Sequence, residues 1–135
     1  LRLSQLAGRE DFRKAAEKTL RRFGRQMAAA PRSLPQMLIA GAFASSKPRQ
    51  IVIAGELGDP ATTEMLRMVH ARYRPDRVLI VATESARARL ANALPVLRGM
   101  RPIDGKTTAY LCENFTCELP SNDLAVVARM LSGGK

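Results

Sequence analysis

The stretch RQIVIAGELGDP, residues 49–60, decides the fold. After Gln50, Ile51 to Ala54 form an unbroken and partly β-branched apolar run, the pattern of a strand covered on both faces. It predicts a parallel strand. Gly55 to Gly58 supply a turn, Asp59 offers an acceptor to the first free amides of a helix, and Pro60 suits the first helical position, where a missing N–H costs nothing. Met65, Leu66, Val69 and Tyr73 give that helix its apolar side, and Pro75 stops it.

Toward the carboxyl end the pattern repeats. Val78 to Val81 read as a second buried strand, Thr83 as the cap of a helix through Leu90, and Pro95 follows. Asp104-Gly105 is a turn signal, after which Thr107 to Cys112 and Phe115 to Leu119 flank Glu113-Asn114 at a spacing that suits a hairpin. Ser121 or Asn122 is expected to cap a last helix carrying Leu124, Val127, Ala128 and Leu131. This alternation predicts an α/β fold of three layers, with right-handed crossovers and a mostly parallel sheet of three to four strands. The expected order is 2-1-3, with a short fourth strand antiparallel at one edge.

Toward the amino end the period changes to that of helices. Leu1, Leu3, Leu6 and Ala7 read as the tail of one helix, Gly8 as the left-handed residue after it, and Glu10 and Asp11 as the acidic start of the next. Phe12, Ala16, Leu20, Phe23, Met27 and Ala30 make one apolar stripe, with Lys14, Lys18, Arg21, Arg22 and Arg25 opposite, until Pro31. Ser33 is expected to cap a helix with Leu34, Met37, Leu38 and Phe43. The chain divides into a helical segment, residues 1–46, and a small α/β domain, residues 47–135.

At 135 residues with 46% apolar content the chain accommodates one domain with an appendage. Its first residue is Leu, so a longer natural chain is expected. No apolar stretch reaches the ~18 residues of a membrane span and no signal-peptide pattern is present. Two cysteines do not make a disulfide framework, which favours a reducing compartment, and a cytoplasmic location is expected. The net charge of +10 is uneven: residues 1–50 hold 11 Lys and Arg against 3 acids, residues 51–135 hold 11 against 9. The excess belongs to the helices.

Arg49 to Gly55, Asp59-Pro60, Val69 to Tyr73 and above all Met100 to Pro120 (MRPIDGKTTAYLCENFTCELP) resemble the carboxy-terminal end of the YyaL-type thioredoxin-domain-containing proteins, which include spermatogenesis-associated members in animals. Leu6-Ala7-Gly8 with Asp11 to Leu20 resembles a helix junction of that family's toroid. The resemblance implies a thioredoxin-like domain and a six-hairpin, glycosidase-like toroid upstream, with residues 1–46 as the toroid's last helices. Those upstream domains are the partners it implies.

Each candidate site has a plainer alternative. Cys112 and Cys117 suggest a redox couple or half a metal site, but four residues separate them. With Glu113-Asn114 as the turn they fall on a diagonal ~7 to 8 Å apart, too long for a disulfide. They are therefore expected to be reduced, buried packing cysteines. Gly55, Glu56, Gly58 and Asp59 stand where open α/β sheets bind ligands, yet match neither the dinucleotide nor the P-loop fingerprint. A turn and cap is the favoured reading. His70, the one histidine, lacks a partner at a catalytic spacing, and Asp104, Gly105, Lys106, Thr107 and Thr108 read as a turn rather than an anion site. The basic face of the second helix lacks the interleaved aromatics of a nucleic-acid surface.

No catalytic residue, cofactor or metal is expected in this chain. The function expected is structural, that of a carboxy-terminal region in a multidomain protein. The alternatives are a nucleotide or nucleic-acid binding module using the Gly55 loop, and a carbohydrate-type enzyme site shared with the toroid. Exposed leucines of residues 1–46 also predict self-association.

Overall fold

The computed structural model describes residues 1–113 and 116–133. Helix α1 (Arg2–Ala7), α2 (Glu10–Ala29), a 3-10 turn at Pro31–Ser33 and α3 (Pro35–Ser45) come first. Strand β1 (Arg49–Ala54), α4 (Pro60–His70), β2 (Arg77–Val81), α5 (Glu84–Leu90), a second 3-10 turn (Pro95–Arg98), β3 (Thr108–Glu113), β4 (Thr116–Cys117) and α6 (Leu124–Ser132) follow.

The four strands form one sheet in the order β2-β1-β3-β4, so the expected 2-1-3 arrangement with a short edge strand holds. The strand directions differ from expectation. Only β1 and β2 are parallel, whereas β3 runs antiparallel to β1, with Leu111 opposite Ile51 and Thr108 opposite Ala54. The sheet is mixed rather than mostly parallel. A parallel β3 requires a link that carries the chain back to the starting end of β2, usually one long helix. Here α5 is only seven residues, about 10 Å long, and Pro95 prevents its extension. The link folds over the sheet and returns to the end it left.

Burial on both faces of β1 follows its sequence pattern. Ile51 and Ile53 pack on one face with Ala109 and Leu111 of β3, Met65 and Val69 of α4, and Val127, Met130 and Leu131 of α6. Val52 and Ala54 pack on the other with Ala82, Leu97, Met100 and Cys112. Helix α1 is tied to the sheet by the Arg2 guanidinium, which donates to the carbonyls of Pro75 at 2.5 Å and Arg77 at 2.7 Å. The Gln50 amide donates to the Gln5 carbonyl at 3.3 Å.

The helix ends follow the sequence in part. Gly8 takes the left-handed conformation at φ 63°, and Thr83 caps α5 by accepting from the Ala86 amide. Ser33 does not cap α3; its hydroxyl donates back to the Ala30 carbonyl, and α3 starts on Pro35. The cap of α6 is Asp123, which accepts from the Ala125 and Val126 amides. Ser121 is held instead in the sheet by reciprocal backbone bonds with Ala109. Asn114 and Phe115, expected in the hairpin turn and returning strand, lie outside the described residues.

The helical segment is less covered. No residue of α2 is fully buried; Phe12, Ala16, Leu20 and Met27 are half-buried against α1 and α3, and Phe23 is 40% exposed. Leu3, Leu38 and Ile39 are exposed as well.

Candidate functional site

Because β3 enters beside the end of β1, the loop after β1 meets the first residues of β3. Gly55 is fully buried there: a Cβ on it would lie 2.4 Å from Thr62 Oγ1 and 2.5 Å from Thr107 Oγ1. Only a glycine fits. Thr62 and Thr107 share a hydrogen bond at 2.9 Å, and the Thr107 hydroxyl donates to Asp59 Oδ2 at 2.6 Å. Asp59 Oδ1 accepts from the Ala61 amide at 3.0 Å, which caps α4 as the sequence predicts. The Thr107 hydroxyl first, and the Ala61 amide second, hold the Asp59 carboxyl below the usual aspartate range.

Glu56 Oε1 accepts from the Glu84 amide at 2.7 Å and so ties the loop to the start of α5. Gly58 turns the chain at φ 94°. Each of the four candidate ligand residues is thus engaged in closing the junction between β1, α4, α5 and β3. Among the described residues, no buried side-chain nitrogen or oxygen lacks a hydrogen-bond partner. The 104–108 stretch is equally closed: Asp104 and Gly105 both have positive φ in a tight turn between Ile103 and Lys106. Thr108 Oγ1 accepts from the Ile103 amide and donates to the Lys106 carbonyl.

The cysteines correct the sequence reading. The β3–β4 ladder pairs Glu113 with Thr116, and therefore Cys112 directly with Cys117. Their Cα atoms are 3.9 Å apart and the sulfurs are bonded as a disulfide. The expected diagonal put Cys117 opposite Tyr110; the observed pairing is shifted by two residues, which keeps both side chains on the same face and brings the cysteines directly opposite each other. The Glu118 amide donates to the Leu111 carbonyl, so 111 and 118 form a hydrogen-bonded pair and 112 and 117 the closer, non-hydrogen-bonded one. Cys112 is buried as expected, but Cys117 is exposed.

His70 ends α4 and is exposed beside Arg72, Tyr73, Arg74 and Arg77, around an open pocket of about 420 Å³. Sequence reasoning missed the arginines of this corner. Arg77 donates to the carbonyl of Val69 at the nearby end of α4 and to that of Leu131 in α6, and Arg49 to Met130, so both close the carboxyl end of α6, a helix distant in sequence. Burial, then the neighbouring Arg74, lowers the Arg77 pKa. No local signal marks such caps, because donor and helix end meet only in the fold. Among the described residues, no three His, Cys, Asp or Glu side chains gather as a metal site would need.

Helices α1, α2 and α3 enclose an apolar groove of about 440 Å³, lined by Leu1, Leu3, Ala16, Leu20, Met37, Phe43 and their neighbours. The guanidinium of Arg2 stacks on the Phe43 ring at 5.0 Å. On the outer face of α2, Arg13 is paired with Glu10 and Glu17, while Lys14, Lys18, Arg22 and Arg25 are exposed. No helix among the described residues is long and apolar enough to cross a membrane.

The chain is similar to spermatogenesis-associated protein 20 of Homo sapiens, 32% identical over 131 residues, and to the proteins of that name from Rattus norvegicus at 32% and Mus musculus at 30%. Each alignment takes in 97% of this chain and 17% of the relative, so the chain spans a small part of the curated relatives it matches. No protein-family model matches the chain, and no solved structure matches it.

Proposed function

We propose that the chain is a structural carboxy-terminal region of a larger multidomain protein, whose residues 1–46 pack against upstream domains and whose α/β part, residues 47–135, anchors them. The observation that carries this reading is the apolar groove on α1, α2 and α3, beside an α/β junction in which the candidate ligand residues are consumed by the fold. A 20-residue helix without one fully buried side chain gains little from its stripe until something covers it. The human relative is far longer than the stretch this chain matches, which is 17% of it, and residues beyond such a stretch are the cover this reading calls for. The resemblance drawn from the sequence adds that the cover is an α/α toroid preceded by a thioredoxin-like domain.

On this reading the isolated chain satisfies its groove with a second copy. Light scattering is expected to give a dimer for residues 1–135 and a monomer for the Leu20→Glu variant. A monomer for the unmodified chain at high concentration counts against the packing role of residues 1–46.

A further inference from the structure

We infer that the Cys112–Cys117 disulfide is a reversible redox site, opened by thiol–disulfide exchange at Cys117. The two sulfurs differ in access. Cys112 is 5% exposed and sits in the apolar cluster of Val52, Ala54, Ala82, Leu97 and Met100, while Cys117 is exposed on a two-residue edge strand. An attacking thiolate must reach a sulfur along the S–S axis, and access decides which one it meets. Cys117 is the sulfur it meets.

The bond is also dispensable to the fold around it. It closes a span of only five residues, the end of the range where a cross-link constrains the unfolded chain least. Strand β3 is held by six residue pairs with β1, and the approach to α6 by the reciprocal bonds of Ala109 and Ser121. Glu118 donates to Leu111 without help from either sulfur. Opening the bond therefore frees Thr116 and Cys117 and leaves the sheet and α6 in place.

The co-reactant is a pair of thiols, on one dithiol or two monothiols. The first, as thiolate, attacks Cys117 Sγ; the S–S bond breaks, and Cys112 leaves as a thiolate that takes up a proton. The second thiol, as thiolate, attacks the external sulfur of the mixed disulfide, and Cys117 leaves and is protonated in turn. Two thiols become one disulfide, and the protein gains two electrons and two protons.

The test equilibrates the folded chain in dithiothreitol buffers of graded reduced-to-oxidised ratio, alkylates the free thiols and reads each cysteine by mass spectrometry. The expected result is one reversible two-electron transition in which Cys112 and Cys117 appear together, with circular dichroism unchanged. Single variants identify the attacked sulfur: Cys112→Ser, which keeps Cys117, should form a glutathione adduct at least about tenfold faster than Cys117→Ser, which keeps Cys112. A bond that resists millimolar dithiothreitol until the protein unfolds overturns the inference. So do cysteines that stay reduced in oxidised buffer, or adduct rates that are equal.

Discussion

The Thr107 hydroxyl donates to Asp59 Oδ2 at 2.6 Å, joining the start of β3 to the cap of α4 across 48 residues of sequence. It makes the loop after β1 part of the sheet's own closure. In an open α/β sheet that loop is the usual place for a ligand. Here the antiparallel return of β3 brings in Thr107, which fills it together with Thr62 of α4.

That contact sets a pH dependence. The Asp59 carboxyl is held below the usual aspartate range by Thr107 and then Ala61, so the unfolded chain binds its proton more tightly than the native one. The stabilisation is complete above the unfolded value, about 3.9, and is lost as pH falls through the lower native value. Asp59→Ala is expected to lower the melting midpoint by about 2–6 °C at neutral pH. The gap to the unmodified chain should shrink below about pH 4. A gap unchanged down to pH 2 rules out the carboxylate as the source.

Two glycines should respond in opposite directions to the same change. Gly55→Ala drives a methyl into Thr62 and Thr107, and should cost about 1–3 kcal/mol in chemical denaturation. Gly24, inside α2, has open space where its Cβ would be. Gly24→Ala should therefore gain about 0.5–1 kcal/mol, by limiting the freedom of the unfolded chain. Equal effects at the two sites contradict the packing assigned to Gly55.

Arg77 joins the ends of α4 and α6 through two of its guanidinium nitrogens. Arg77→Leu is expected to destabilise by about 1–3 kcal/mol, because two helix-end carbonyls lose their donor. Arg77→Lys keeps the charge but not the fork, and should recover only part of that loss. Full recovery by lysine in urea titrations makes charge alone the cause.

What the sequence made legible was local. The run from Ile51 to Ala54 announces a strand buried on both faces, Asp59-Pro60 and Thr83 announce caps, and Gly8 announces a helix end, each within a few residues. The direction of β3 was not legible, since it depends on whether residues 82–107 cross the sheet or return. The hairpin register turned on one residue of turn placement, and with it the fate of Cys112 and Cys117. The fork of Arg77 and the bond from Thr107 to Asp59 join residues more than 45 positions apart in one or both of their contacts, and no spacing rule reaches that far.

The packing role of residues 1–46 is tested most directly by hydrogen exchange on full-length human spermatogenesis-associated protein 20 and on its isolated stretch aligned with this chain. With the isolated stretch held monomeric by dilution, so that no second copy covers it, the amides aligned with residues 12–27 are expected to exchange at least about tenfold more slowly in the full-length protein. The amides aligned with β1, already enclosed on both faces, should barely change. Equal exchange along α2 in the two proteins contradicts the proposal that upstream domains pack on this segment.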